Sequence, residues 1–165
     1  MELVVETIAE VQELSAYEIE RNKPMPSKNH GFIQSRLSMI IGYRYLNTYN
    51  LYSELDVIMP EKPDSVPDVC IYPKSEIDFS EDIIGMKEMP LTTIEILSPT
   101  QRENELVAKA KRYFAAGVKS CWIVLPIFKV IVVYSSPTKR QVFTEDMTLI
   151  DEVTGIELIL ADVFN

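Results

Sequence analysis

Apolar positions recur along the chain in two rhythms. Ile33, Leu37, Met39, Ile40 and Ile41 fall at helical spacing, and Ser27 or Asn29 stands where an N-cap oxygen is needed, so a helix with a broad apolar face is expected over residues 31–47. Ahead of it, Ile8, Val11, Gln12 and Leu14 give only a weak helical pattern over residues 2–16. Residues 17–26 read as a small hairpin turning at Asn22. Beyond residue 47 the rhythm becomes strand-like, with runs at 50–59, 69–72, 91–97, 120–125, 129–135 and 141–143. The charged stretch 74–89 reads as a loop with a short helical piece. Thr100-x-x-Glu103 has capping-box spacing and Gly117 suits a helix end, so a second helix is expected over residues 100–116. Residues 148–153 are expected to pair nearby as a further strand-like segment, and 156–160 and Val163-Phe164 to fold back onto the core.

A strand joined through a helix to another strand favours a parallel pair with a right-handed crossover. The earlier segments look like antiparallel hairpins. The expected fold class is therefore α/β, a mixed central sheet flanked by helices, with residues 1–165 forming one domain.

Composition narrows the function classes. With 47% apolar and 25% charged residues the chain is globular in character. Its longest apolar run, at 121–128, contains Pro126 and falls well short of the roughly 20 residues that span a bilayer. The opening Met-Glu-Leu-Val-Val-Glu carries acids where a signal peptide carries basic residues, so a cytoplasmic protein is expected. Cys70 and Cys121 both sit in strand-like runs, without the spacing of a disulfide framework or a zinc site. The net charge of −9 argues against a general nucleic-acid binder, because phosphate neutralisation needs clustered Lys and Arg. A divalent ion held by carboxylates would reverse the local field and soften that objection.

Three residues carry chemistry together. Asp68 follows Pro67 at the mouth of an apolar strand, and Glu95 sits inside Thr92-Thr-Ile-Glu-Ile-Leu-Ser98. Alternation puts Thr93, Glu95 and Leu97 on one face. A carboxylate in such an apolar setting is costly to bury unless it is paired or binds a cation. Lys109 follows on the second helix, on one stripe with Glu105 and Tyr113. Two carboxylates at neighbouring strand ends can share Mg²⁺ or Mn²⁺, and a nearby ammonium can orient a water or stabilise a phosphoryl transition state.

Pro67-Asp68, Ile94-Glu95-Ile-Leu-Ser98-Pro99, and Glu105-x-x-x-Lys109-x-x-x-Tyr113-x-x-x-Gly117-Val118 resemble a large bacterial family of restriction-endonuclease-like proteins. Members of that family look like PD-(D/E)XK nucleases. The early Tyr17-Glu18-Ile, the His30 helix, Trp122 and Gly155-Ile-Glu-Leu extend the resemblance over nearly the whole chain. It implies a metal-dependent endonuclease acting on DNA, with Asp68, Glu95 and the Ile96 carbonyl as ligands of Mg²⁺ or Mn²⁺. It further implies Lys109 as the catalytic lysine, Glu18, His30, Glu105 and Tyr113 as auxiliary residues, and a homodimer as the working form. The superfamily's lysine usually stands two residues after the second acid, and that position here is Leu97. The family's Tyr-Trp pair is Cys121-Trp122 here, with Ser120 in place of an acid.

Each residue also has a plain reading. Pro-Asp often marks a turn, Glu95 can belong to an edge strand or pair with Lys109, and Lys109 alone reads as a solvated helix residue. His30 can be a cap or a surface residue, and Trp122 a core residue. Lys111, Arg112 and Lys119 read most simply as a solvated face. Two rivals to the nuclease stand beside it: a catalytically silent nuclease-fold binding or assembly module, which the acidic charge favours, and a metal-dependent hydrolase of another phosphorylated substrate.

Overall fold

Ser27 sets the start of the first long element. Its Oγ accepts a hydrogen bond from the His30 backbone N–H at 3.2 Å, and helix α1 runs Lys28–Arg44. In this computed structural model, residues 25–165 are described. The expected opening helix and most of the hairpin, Glu18 included, lie outside the described residues. His30, Ile33, Leu37 and Ile41 form the buried stripe of α1. Met39 departs from expectation: it is 60% exposed, because the helix turns that position away from the sheet.

The single strand expected over 50–59 is broken. β1 (Tyr49–Ser53) ends at Glu54, whose φ of 51° cannot continue a strand, and β2 (Asp56–Val57) follows. After β3 (Val69–Pro73), the stretch 74–89 holds no helix; it supplies β4 (Gly85–Met86), which pairs parallel with β2. β5 (Thr92–Ile96) leads through helix α2 (Glu103–Ala116) to β6 (Ser120–Leu125), and the two strands pair parallel as the strand–helix–strand order requires. β7 (Val130–Tyr134) and β8 (Arg140–Phe143) continue antiparallel, giving a six-stranded sheet in the order β1-β3-β5-β6-β7-β8. β9 (Thr148–Ile150) and β10 (Glu157–Ile159) form a separate antiparallel pair before the short α3 (Leu160–Phe164).

The expected capping box does not form. α2 starts at Glu103 with Arg102 as N-cap and no side-chain cap bond. The preceding turn is closed instead by Gln101, whose Oε1 accepts from the Ser98 N–H at 3.1 Å. Glu103 and Glu105 in the first turn place negative charge at the helix's positive end. At the other end Gly117, with φ 109°, lets the Val118 N–H return to the Tyr113 carbonyl.

Strand alternation sorts the core into two layers. Val69, Ile71, Ile94, Ile96, Trp122 and Val124 share one cluster with α1 and the C-terminal segment. Cys70, Tyr72, Cys121 and Ile123 share the other with Leu106, Ala110 and Tyr113 of α2. Each fully buried Ile or Leu contributes roughly 1.5–3 kcal/mol by leaving water. No helix among the described residues is long and apolar enough to cross a membrane.

One polar cluster ties the layers' far end together. Asp151 is fully buried, and its Oδ2 accepts from Trp122 Nε1 and Ser120 Oγ, both at 2.8 Å. Its Oδ1 accepts from the Val153 N–H at 2.9 Å, and Thr92 Oγ1 lies 2.5 Å from Ser120 Oγ. Removing one partner of such a network strands the others in a dry site. Asp151→Ala should therefore cost about 2–4 kcal/mol in urea unfolding. A loss below about 1 kcal/mol would contradict this role.

Both cysteines are buried and reduced. Burial pushes the Cys121 thiol from 9.0 up to about 12. Because the folded state holds this proton more tightly, the resulting stability is fully present below pH 9 and is lost as pH rises toward 12. Native protein at about pH 8 should resist maleimide or disulfide reagents, with both thiols titrating only in denaturant; rapid labelling of the native chain would contradict it.

Candidate active site

The two acids meet at the end of a strand pair. β3 pairs β5 antiparallel with Val69 opposite Ile94, Cys70 opposite Thr93 and Ile71 opposite Thr92. The paired residues end at Val69 and Ile94, and Asp68, one residue before β3, reaches the β5 end through its Oδ2, which accepts from the Ile96 N–H beside Glu95. Two acids 27 positions apart in sequence are thereby gathered at the strand mouth. Both are withdrawn from solvent, Asp68 at 1% and Glu95 at 4% exposure.

Glu95 is held from α2. Lys109 Nζ donates to its Oε1 at 3.0 Å, and Tyr113 OH donates to the same oxygen at 2.7 Å. The i, i+4 spacing of Lys109 and Tyr113 puts both donors on the stripe that faces β5. Burial, and then the Glu95 charge, push the Tyr113 phenol well above its ordinary 10, so it stays protonated and keeps donating. Its one proton goes to Glu95, so the 2.6 Å contact with buried Ser65 makes the Ser65 hydroxyl the donor. All these bonds fall on Oε1, which leaves Oε2 available for another partner.

Asp68 is held from the sheet and from α1. Its Oδ2 accepts from the Ile96 N–H at 2.7 Å, and its Oδ1 lies 3.1 Å from His30 Nε2, itself 96% withdrawn from solvent at 4% exposure. The proton-bearing ring nitrogen facing Asp68 is thus Nε2, while Nδ1 is buried without a partner. Gln34, one turn beyond His30, donates to the Asp68 backbone carbonyl at 2.9 Å.

Pro67 has a specific consequence. The β3–β5 pairing ends at Val69 opposite Ile94, and Pro67 lies two residues before Val69, where an extended residue would turn its N–H toward the end of β5. Pro67 has no N–H, so the strand ladder offers the Ile96 carbonyl no donor on the side of Asp68. Asp68 Oδ2 fills the matching gap at the Ile96 N–H.

The donor set suits a hard divalent cation: two carboxylates, with Glu95 Oε2 unengaged, and a backbone carbonyl without a ladder donor. Mg²⁺ commonly takes one or two carboxylates and keeps several waters. Among the described residues no group of three His, Cys, Asp or Glu side chains is gathered closely enough to hold a metal by side chains alone. The carbonyl and water would have to complete the coordination.

The structure therefore brings Asp68, Glu95, Ile96, Lys109, Tyr113 and His30 together. Glu105 is apart from them, exposed in the first turn of α2. Arg112 is engaged elsewhere: it donates to the backbone carbonyls of Glu61 and Pro63 and so braces the loop between β2 and β3. Lys111 and Lys119 are exposed, in keeping with a solvated face. Sequence reasoning missed Gln34 and Ser65. The i, i+4 relation to His30 could have found Gln34. Nothing local points to Ser65, which meets Tyr113 only across 48 positions.

Tyr113→Phe removes the donor to Glu95 and strands the Ser65 hydroxyl in a buried site. It should cost about 1–3 kcal/mol in chemical unfolding with the fold retained. An unchanged unfolding midpoint would show that these bonds contribute nothing.

Residues 9–161 match the model of the Uma2 family, described as "Putative restriction endonuclease". Among solved structures, the crystal structure of a putative nuclease belonging to DUF820 from Anabaena variabilis is similar, with a TM-score of 0.74 and 24% identity. That alignment covers 86% of this chain and 83% of that one, and at this identity it speaks for the fold. No curated protein matches. With a family match over nearly its whole length and a restriction-endonuclease-like mixed sheet, the chain belongs to the Uma2 family.

Proposed function

We propose that this protein is a divalent-metal-dependent endonuclease that hydrolyses DNA phosphodiester bonds at the β3–β5 strand mouth. The observation that carries the reading is Glu95: a buried carboxylate next to the Ile96 N–H that binds Asp68, with both Lys109 and Tyr113 donating to its Oε1. Membership in a family described as "Putative restriction endonuclease" supports DNA as substrate.

Asp68, Glu95 and the Ile96 carbonyl would hold Mg²⁺ or Mn²⁺, which when bound makes water more acidic and offsets charge on a phosphoryl oxygen. The chain's own residues supply the rest. Lys109 is partly exposed and carries three donors, of which one goes to Glu95. The others can orient the attacking water or stabilise negative charge growing on the phosphate. Tyr113 holds Glu95 in one rotamer, and His30 with the Ile96 N–H holds Asp68. Fixing both acids before substrate arrives removes reorganisation from the reaction.

Glu95→Gln and Lys109→Ala should each lower magnesium-dependent cleavage of a DNA substrate by about 10²–10³-fold. Asp68→Ala should weaken manganese binding in calorimetric titration. Undiminished cleavage by Glu95→Gln sinks the assignment.

The net charge of −9 supports a second reading, a catalytically silent nuclease-fold binding or assembly module. Absence of divalent-ion binding, or binding indifferent to Asp68→Ala, would favour it. Cleavage confined to a small phosphate ester would point to the other hydrolase reading.

A further inference from the structure

A cavity of about 520 Å³ opens one residue beyond Ile96. Leu97 and Pro99 form one wall, continuing the chain from β5 toward α2, and Pro126 and Ile127 form another in the turn after β6. Asn29, one residue before His30, comes from the start of α1. The cavity therefore adjoins both arms of the candidate site, the β5 end that carries Glu95 and the α1 turn that carries His30.

Its lining is mostly apolar, with neutral amides and hydroxyls between. Lys28 and Glu103 are its only ionisable lining residues among those described, and their charges oppose. Such walls suit an uncharged, flat, hydrogen-bonding ring better than a phosphate. The volume falls in the roughly 300–1,000 Å³ range of sites for small organic ligands, which admits one nucleotide and not a base-paired duplex. At the rim Ile127 is 82% exposed and its neighbour Phe128 66% exposed, an apolar tip with no packing role in the core. Enzymes that hold a base outside the stack contact it with apolar or aromatic side chains and hydrogen bonds to its edge. The charge balance agrees: a net charge of −9 disfavours tracking two phosphate backbones.

We infer that this cavity receives a single unpaired nucleobase next to the phosphate at the Asp68–Glu95 site, so that the protein prefers single-stranded or locally unpaired DNA to a matched duplex. The inference takes its ligand class from the nuclease reading above. Ile127 is its apolar wedge, the Asn29 amide offers a donor and an acceptor to the base edge, and Gln101, whose Oε1 accepts from the Ser98 N–H, offers its Nε2 donors.

The test compares binding of a fluorescein-labelled single-stranded deoxyoligonucleotide with that of its blunt duplex by fluorescence anisotropy, in EDTA and again in calcium. The single strand should bind at least about tenfold more tightly, a difference of about 1.4 kcal/mol. Ile127→Asp, at an exposed position and so compatible with folding, should weaken single-strand binding at least about fivefold and leave duplex binding unchanged, the loss of part of one base contact. Equal or tighter duplex binding, no binding of either DNA, or a preference untouched by Ile127→Asp would overturn the inference. A strand preference that depends on Ile127, without magnesium-dependent cleavage, would uphold the inference and sink the nuclease reading. Duplex cleavage without strand preference would do the reverse.

Discussion

A carboxylate can stay in a dry interior only if donors or a cation meet its charge, and this requirement organises the molecule. Three buried acids obey it in different ways. Asp151 is met by neutral donors from a tryptophan, a serine and backbone amides. Asp68 is met by a backbone N–H and a histidine. Glu95 is met by an ammonium and a phenol. The first arrangement is closed and structural. The other two stand at the open end of the sheet, where both described donors to Glu95 fall on Oε1.

The β5–α2–β6 unit explains how Lys109 reaches Glu95 from a helix. Leu97, where the superfamily's signature would place it, is partly buried and packs with the α2 layer. The parallel crossover lays α2 over the face to which Glu95 points, and the i, i+4 stripe then presents Lys109 and Tyr113 to one carboxylate oxygen. A single helical turn thus supplies both the charge partner and the neutral clamp. Pro67 completes the other side by withholding a ladder N–H from Ile96.

Where local pattern failed, backbone geometry or a different partner decided the outcome. The Thr100–Glu103 spacing suggested a capping box, but Gln101 closes the turn onto Ser98 and α2 begins without a side-chain cap. The run 50–59 looked continuous, yet Glu54 interrupts it, and the two-residue β2 is stabilised by pairing with β4, from a segment whose charges hid a strand. Met39 satisfied the apolar count of α1 but not its geometry.

What the sequence determined by itself was periodicity and chemical type. The alternation around Glu95, the β5–α2–β6 order and Gly117 as a helix end were legible because each depends on spacings of a few residues, whereas Asp68, Glu95 and Lys109 were singled out by chemical type and by the order of the motifs that resemble the family. Tertiary structure alone decided which atoms meet. Ser65 reaching Tyr113, Gln34 reaching the Asp68 carbonyl, Trp122 reaching Asp151, and the cavity between the ends of β5, β6 and α1 all join segments far apart in the chain. No local rule encodes such distances, since they follow from strand register and helix placement once the two layers have packed.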